Sequence, residues 1–264
     1  ANAIVFFFEL AMPREALETF FYLFGIVPAR FTHPEWAAFV GLPINDYWPL
    51  LTHQFLHGGW LHIIGNMWTL WIFGDNVEDR MGPWRFAIFY LVCGIVAGAT
   101  HIVTQPASTV PTVGASGAIA GVLGAYLILF PTARLVVMFP VFFVPFFFEL
   151  PAVLYLGMWF FLQLFNGTFA LVSADRVGGI AWWAHVGGFT AGLLLCPLFT
   201  RGGRPSRPIQ ADEYGVDLAT ATATLVTTKT IYGSILVIFH VGSPSASPLS
   251  KVLGGVTQAF DRPD

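Results

Sequence analysis

Four side chains in otherwise apolar stretches are able to do chemistry: Ser116, His185, His62 and Asn66. Ser116 stands near the start of TVGASGAIAGVLGAYLILF, Thr112 to Phe130, among small residues. A serine hydroxyl is a weak nucleophile until a base takes its proton. His185 is a base that can accept that proton and later deliver it to a leaving amine. Acyl transfer also needs donors aimed at the developing oxyanion. Asn66 and His62 are four residues apart, share one helix face and supply two side-chain donors. The backbone N–H of Ser116, at the positive start of a helix, supplies another. No Asp or Glu stands at matching depth in a span to orient His185, so the pattern is a Ser–His dyad and not a triad.

Each residue also has a plainer reading. A serine in a span commonly bonds back to its own helix carbonyl. An asparagine can be interhelical glue worth about 1 kcal/mol. A histidine near a helix end can reach interfacial water, and small residues let membrane helices pack closely. Taken together these readings are less persuasive, because a polar group in a span is expensive and marks function by default.

Six apolar segments must position these groups, at roughly 1–12, 57–74, 85–104, 113–130, 150–166 and 180–200. The first, ANAIVFFFELAM, is short of the ~20 residues a span needs. It is expected to be the distal part of a first span that begins outside this sequence. The connector 13–56 carries Pro13, Pro28, Pro34, Pro43 and Pro49 together with Trp36 and Trp48. Such aromatics suit a membrane–water interface, so the connector is expected to be partly helical and to lie on one leaflet. Arg80, Arg85, Arg134, Arg201, Arg204 and Arg207 follow the even-numbered segments, whereas Arg14, Arg30 and Arg176 are spread over longer connectors. That bias places both ends of a six-span unit in the cytoplasm. Segments two, four and six then all run inward. His62 lies about five residues in, Ser116 about three and His185 about five, or roughly 5–8 Å below the outer ends at 1.5 Å per residue. Gly117 and Gly121 form a GxxxG pair, and so do Gly188 and Gly192. A close crossing there would bring Ser116 within reach of His185. Gly94 and Gly98 read as packing alone.

Composition agrees with membrane residence. Of 264 residues, 56% are hydrophobic and 10% charged, against roughly 25% charged in soluble domains. Mean hydropathy is +0.70. The formal net charge of -3 argues against nucleic acid. Cys93 and Cys196 lie in apolar runs without metal spacing and read as core. His53 and His57 are four apart, with His62 following. Gln54 stands where a metalloprotease helix would carry glutamate, so no metal and no cofactor is expected. The His57 ring is expected to bond loop backbone, and His33, His101 and His240 to be interfacial or solvated. Residues 201–264 form a polar linker and tail, in which TLVTTKTIYGSILVIFHV is broken by Lys229. A strand-like or poorly ordered tail is favoured over a seventh span.

At these residues the sequence resembles the rhomboid family of intramembrane serine proteases. GASG around Ser116 resembles the nucleophile motif, and AHVGGFTAG, Ala184 to Gly192, resembles the histidine helix. HGGWLHIIGNM resembles the second span, in which the residues matching His62 and Asn66 serve the oxyanion hole. GDNVEDRMG, Gly74 to Gly82, resembles the acidic–Arg turn that follows it. Gly114, Gly117, Gly121, Gly188 and Gly192 are the packing residues near the site. In one departure, the fourth residue after the serine is Ala120, where many bacterial members carry a tyrosine stacked on the histidine.

The resemblance implies an all-α polytopic protein, with a six-helix bundle over residues 1–200 and a membrane-embedded loop, 13–56, between helices one and two. Segment five and residues 167–179 would form a mobile cap or gate. It implies a multi-pass protein of a prokaryotic cytoplasmic membrane, with its site opening to the outer face. Its partners would be the bilayer and single-pass transmembrane substrates, cut near the outer surface. The alternative is a catalytically silent relative that binds or chaperones membrane proteins.

Overall fold

The computed structural model describes residues 1–141, 144–172, 181–200 and 237–241. Arg176, Arg201, Arg204, Arg207, Lys229 and most of the C-terminal tail lie outside the described residues.

The first compact unit has its described residues within 1–129, 156–172 and 181–200, and these are mainly helical. It opens with α1 (Asn2–Leu10) and α2 (Arg14–Phe24), separated by Pro13. Three short helices follow, α3 (Pro28–Thr32), α4 (Pro34–Phe39) and α5 (Pro49–Thr52), each begun by a proline at its first position. Proline is tolerated there because the first helical N–H has no intrahelical partner. A 3-10 turn, His53–Phe55, then leads to α6 (Trp60–Met81). Gly82, at φ 84, ends α6, and Pro83 begins α7 (Pro83–Thr104). The GDNVEDRMG stretch, expected as a turn, is therefore mostly the last two turns of α6. Its acidic residues and Arg80 continue the helix, and only the glycine with positive φ breaks it. Next come α8 (Ser116–Leu129), α9 (Ala152–Val172) and α10 (Trp182–Phe199).

Among the described residues, three helices are long and apolar enough to cross a membrane: Pro83–Thr104, Ala152–Leu171 and Trp182–Phe199. The apolar α8 is shorter, at 14 residues.

The core of this unit is α8, which has ten consecutive buried residues, Gly117 to Tyr126. It packs most extensively against α10, then α7, then α6. Glycine permits this. A β-carbon on Gly188 would collide with the Gly117 carbonyl, one on Gly192 with the Gly121 carbonyl, and one on Gly124 with the Phe189 carbonyl. The two GxxxG faces thus meet backbone to backbone, as their spacing predicts. Around them Phe73 meets Tyr126 edge-on at 4.9 Å, and Phe160 stacks on Phe189 at 4.6 Å. Cys93 and Cys196 are buried free thiols.

The connector is held by polar contacts that composition does not announce. Arg30 is 3% exposed. Its guanidinium reaches Asp46 at 2.7 Å and donates to the carbonyls of Leu23 at 2.9 Å and Pro43 at 3.0 Å. Those carbonyls supply the extra acceptors a buried ion pair needs.

The second unit has its described residues within 130–155 and 237–241. It corrects the all-α expectation to a mostly helical protein. Residues 134–151, expected as loop and as the start of segment five, form β1 (Arg134–Val141) and β2 (Val144–Pro151). The two pair antiparallel, from Arg134 opposite Pro151 to Val141 opposite Val144. Val and Phe dominate the run, which suits a strand. β3 (Val237–Val241) pairs with the other edge of β1, giving the order β2-β1-β3. This matches the strand-like reading of that part of the tail.

Candidate active site

Ser116 is the first residue of α8 and His185 the fourth of α10. The glycine crossing brings them together. Ser116 Oγ lies 2.9 Å from His185 Nε2, within hydrogen-bond range. The hydroxyl is thus engaged by a base on another helix. Because Ser116 opens its helix, its N–H belongs to the first turn, where donors have no intrahelical partner and the macrodipole is positive.

The chain entering α8 is fixed by the connector. Ile26 and Thr112 exchange both backbone bonds, at 2.9 and 2.7 Å, and Ala29 N–H donates to the Ser108 carbonyl at 2.9 Å. Gly114 N–H donates to the His53 carbonyl at 2.8 Å. Gly114 itself sits at φ 130, a conformation L side chains rarely adopt.

His62 and Asn66 lie one turn apart on α6, on the face toward Gly114. The point a Gly114 β-carbon would occupy is 2.6 Å from His62 Nε2 and 3.8 Å from Asn66 Nδ2. The Gly58 N–H points at His62 Nδ1 at 3.4 Å. A backbone N–H only donates, so Nδ1 accepts and the ring proton sits on Nε2, facing Gly114. Asn66 Nδ2 is buried and has no hydrogen-bond partner among the described residues. Two side-chain donors therefore converge beside the residues that precede the Ser116 hydroxyl.

The surroundings of His185 were not foreseen. Gln163 on α9 is 6% exposed. Its Oε1 lies 2.9 Å from His185 Nδ1, and its Nε2 donates to the Trp159 carbonyl at 3.2 Å. The Trp159 ring lies 5.9 Å from the imidazole at 36°, and Trp182 approaches edge-on at 6.5 Å. Ala120, the position expected to matter through a missing tyrosine, is fully buried in the α8 core. The aromatic neighbours of His185 come instead from α9 and from the start of α10. Trp183 adds a second tie between these helices, donating to the Gly167 carbonyl at 3.1 Å. Gln163 was findable by the criterion that singles out Asn66, an amide within an apolar span, but no GxxxG pair flanks it.

One of the other histidines needs a correction. The His57 ring is buried beside the Phe55 backbone, which opposes the effect of burial on the imidazole, and it meets His62 edge-on at 5.2 Å. Its backbone N–H donates to the buried Glu9 carboxylate on α1, at 3.2 and 3.3 Å. Glu9 is a second group the sequence reading missed. His101 is not solvated: it is 7% exposed, with Nε2 2.9 Å from Thr112 Oγ1. His53 Nδ1 lies 2.8 Å from the Pro49 carbonyl. Burial pushes its imidazole down to about 4, opposed by the carbonyls of Pro49 and Leu50. His33 is exposed.

The chain is similar to known proteins over the region that holds these residues. The rhomboid domain profile matches residues 45–202, more than half of the chain. Rhomboid protease GluP of Bacillus subtilis (strain 168) is 42% identical over 83 residues, 31% of this chain and 16% of its own length. The presenilin-associated rhomboid-like protein, mitochondrial, of Mus musculus is 29% identical over 153 residues, 55% of this chain and 36% of its own. RHOMBOID-like protein 5 of Arabidopsis thaliana is 35% identical over 83 residues, 31% of this chain and 27% of its own. The chain covers less than half the length of these relatives. With the domain match spanning Ser116, His185, His62 and Asn66, this chain belongs to the rhomboid family.

Proposed function

We propose that the protein is an intramembrane serine endopeptidase that cleaves single-pass transmembrane proteins near the outer membrane face. The observation that carries this reading is the 2.9 Å contact between Ser116 Oγ and His185 Nε2 at the start of α8. His185 Nε2 takes the hydroxyl proton as Oγ bonds to the scissile carbonyl carbon, and the carbonyl electron pair moves onto oxygen. The Ser116 N–H, His62 Nε2–H and Asn66 Nδ2–H stabilise that oxygen. The intermediate then collapses, the C–N bond breaks, and the proton on Nε2 passes to the leaving amine. Water, activated by the same imidazole, hydrolyses the acyl-serine and regenerates the hydroxyl.

A fluorophosphonate probe in detergent tests this directly. The unaltered protein is expected to label and Ser116→Ala is not. Ser116→Ala and His185→Ala are each expected to abolish cleavage of a reporter single-pass substrate while the protein stays folded. A folded, unaltered protein that neither labels nor cleaves would refute the protease reading and leave the catalytically silent alternative. Residual cleavage well above background in Ser116→Ala would mean that another group is the nucleophile.

A further inference from the structure

We propose that Gln163 is a positioning residue that locks His185 in the base-competent tautomer, a role resting on the protease reading above. The geometry determines the proton positions one after another. The Trp159 carbonyl, 3.2 Å from Gln163 Nε2, can only accept. The amide nitrogen must therefore face it, which leaves Oε1 toward His185. Oε1 also only accepts, so His185 Nδ1, 2.9 Å away, must carry the ring proton. A neutral imidazole has one N–H, so Nε2 holds the lone pair. That atom faces Ser116 Oγ at 2.9 Å. The hydroxyl donates, and the nucleophile is poised to lose its proton to the base.

Serine proteases outside membranes commonly assign this task to a carboxylate. An ionised carboxylate within an apolar span is expensive. A glutamine amide orients the ring without that charge, and its own second bond is satisfied by the helix that carries it. Gln163 is nearly inaccessible, so water does not compete for Nδ1 on that side. The sequence pattern of a dyad without an acid is thus completed by a neutral third member from α9. Trp159, one turn before Gln163, lies against the same imidazole and restricts its rotation.

The test pairs Gln163→Met, which keeps length and loses the acceptor, with Gln163→Glu, which keeps an acceptor in either protonation state. Kinetics are measured on a reporter single-pass substrate in detergent. The tautomer is read from nitrogen spectra of 15N-histidine-labelled protein, with the His185 signals assigned by their loss in His185→Ala. Gln163→Met is expected to lower kcat at least tenfold, in the range for a misoriented catalytic group, with KM within about twofold. Its His185 spectrum is expected to show a mixture of tautomers. Gln163→Glu is expected to recover most of the activity and the single Nδ1–H tautomer. A Gln163→Met protein with unaltered kcat and tautomer would overturn the proposal, as would Gln163→Glu behaving like Gln163→Met. If the unaltered protein proves inactive, the protease reading fails, but the nitrogen spectra still decide whether Gln163 sets the tautomer.

Discussion

Gly192→Ala adds a single methyl group 10 Å or so along α10 from His185, at 1.5 Å per residue, and is expected to disable the site without touching it. A β-carbon there would sit more than about 1 Å inside van der Waals contact with the Gly121 carbonyl oxygen. That neighbour is helix backbone and cannot swing aside as a flexible side chain would. The helices must part instead, by about 1 Å or more at the crossing. Overpacking of this kind costs about 1–3 kcal/mol. The Ser116–His185 contact starts at 2.9 Å. An added ångström takes it beyond hydrogen-bond range, and misplacement of that size costs about a hundredfold in rate. The assay is the second-order rate of fluorophosphonate labelling beside kcat for a reporter substrate, with thermal unfolding in detergent as the measure of fold. Gly157→Ala on α9 is the control, because no atom of the described residues lies within 4 Å of a β-carbon there. It is expected to keep full activity and to gain up to about 1 kcal/mol from helix propensity. If Gly192→Ala labelled and cleaved like the unaltered protein, the backbone-to-backbone crossing would not be what holds the dyad.

Asn66→Ala is expected to lower kcat by roughly tenfold to a thousandfold, the range for losing one oxyanion donor, with His62→Ala similar or milder. An unchanged kcat in the double variant would leave only backbone donors. For His53, the ordinary value of 6.5 falls to about 4 in the fold, so the unfolded chain binds the extra proton between those values. The stability is fully present above pH 6.5 and is lost as pH falls through 6.5 toward 4, by about 3 kcal/mol. Unfolding midpoints measured across that window are expected to fall less steeply in His53→Gln, and equal slopes would refute the assignment.

The approach of Ser116 to His185 was legible because its signals are local. Ser116 and His185 are polar groups in apolar runs, and each stands next to a glycine pair that declares a close crossing. Gln163 shares the first property and lacks the second, so nothing in its neighbourhood pointed at His185. Its meaning depends on the approach of α9 to α10, a tertiary fact. Glu9 was hidden differently. It sits in a short apolar stretch, and its partner is the backbone N–H of His57, 48 residues away, which leaves no side-chain pattern to read. The β1–β2 pair was passed over because an apolar run such as RLVVMFPV has no clear period. Length and β-branched content were the only clues to a strand. Ala120 shows the opposite error. A family difference at one position drew attention to a missing contact, while the structure supplies aromatic contact to His185 from two other tryptophans.

The shortness of α8 explains why so much irregular chain surrounds its first residue. Fourteen residues give about 21 Å, whereas a hydrocarbon core is about 30 Å thick. Were the far end of α8 to sit at one membrane face, Ser116 would lie roughly 9 Å beneath the other. The chain leading into Ser116 must then pass through that depth without helical hydrogen bonds, which lipid does not forgive. The connector answers that demand. The paired backbone of Ile26 and Thr112, the bond from Ala29 to Ser108 and the bond from Gly114 to the His53 carbonyl satisfy the backbone polar groups that α8 is too short to absorb. Within the connector itself, Arg30 donates to the carbonyls of Leu23 and Pro43. On the proposed reading, a nucleophile below the membrane surface would require two structures, a short helix to set its depth and a hydrogen-bonded non-helical collar to line the gap. The connector 13–56 provides most of the second.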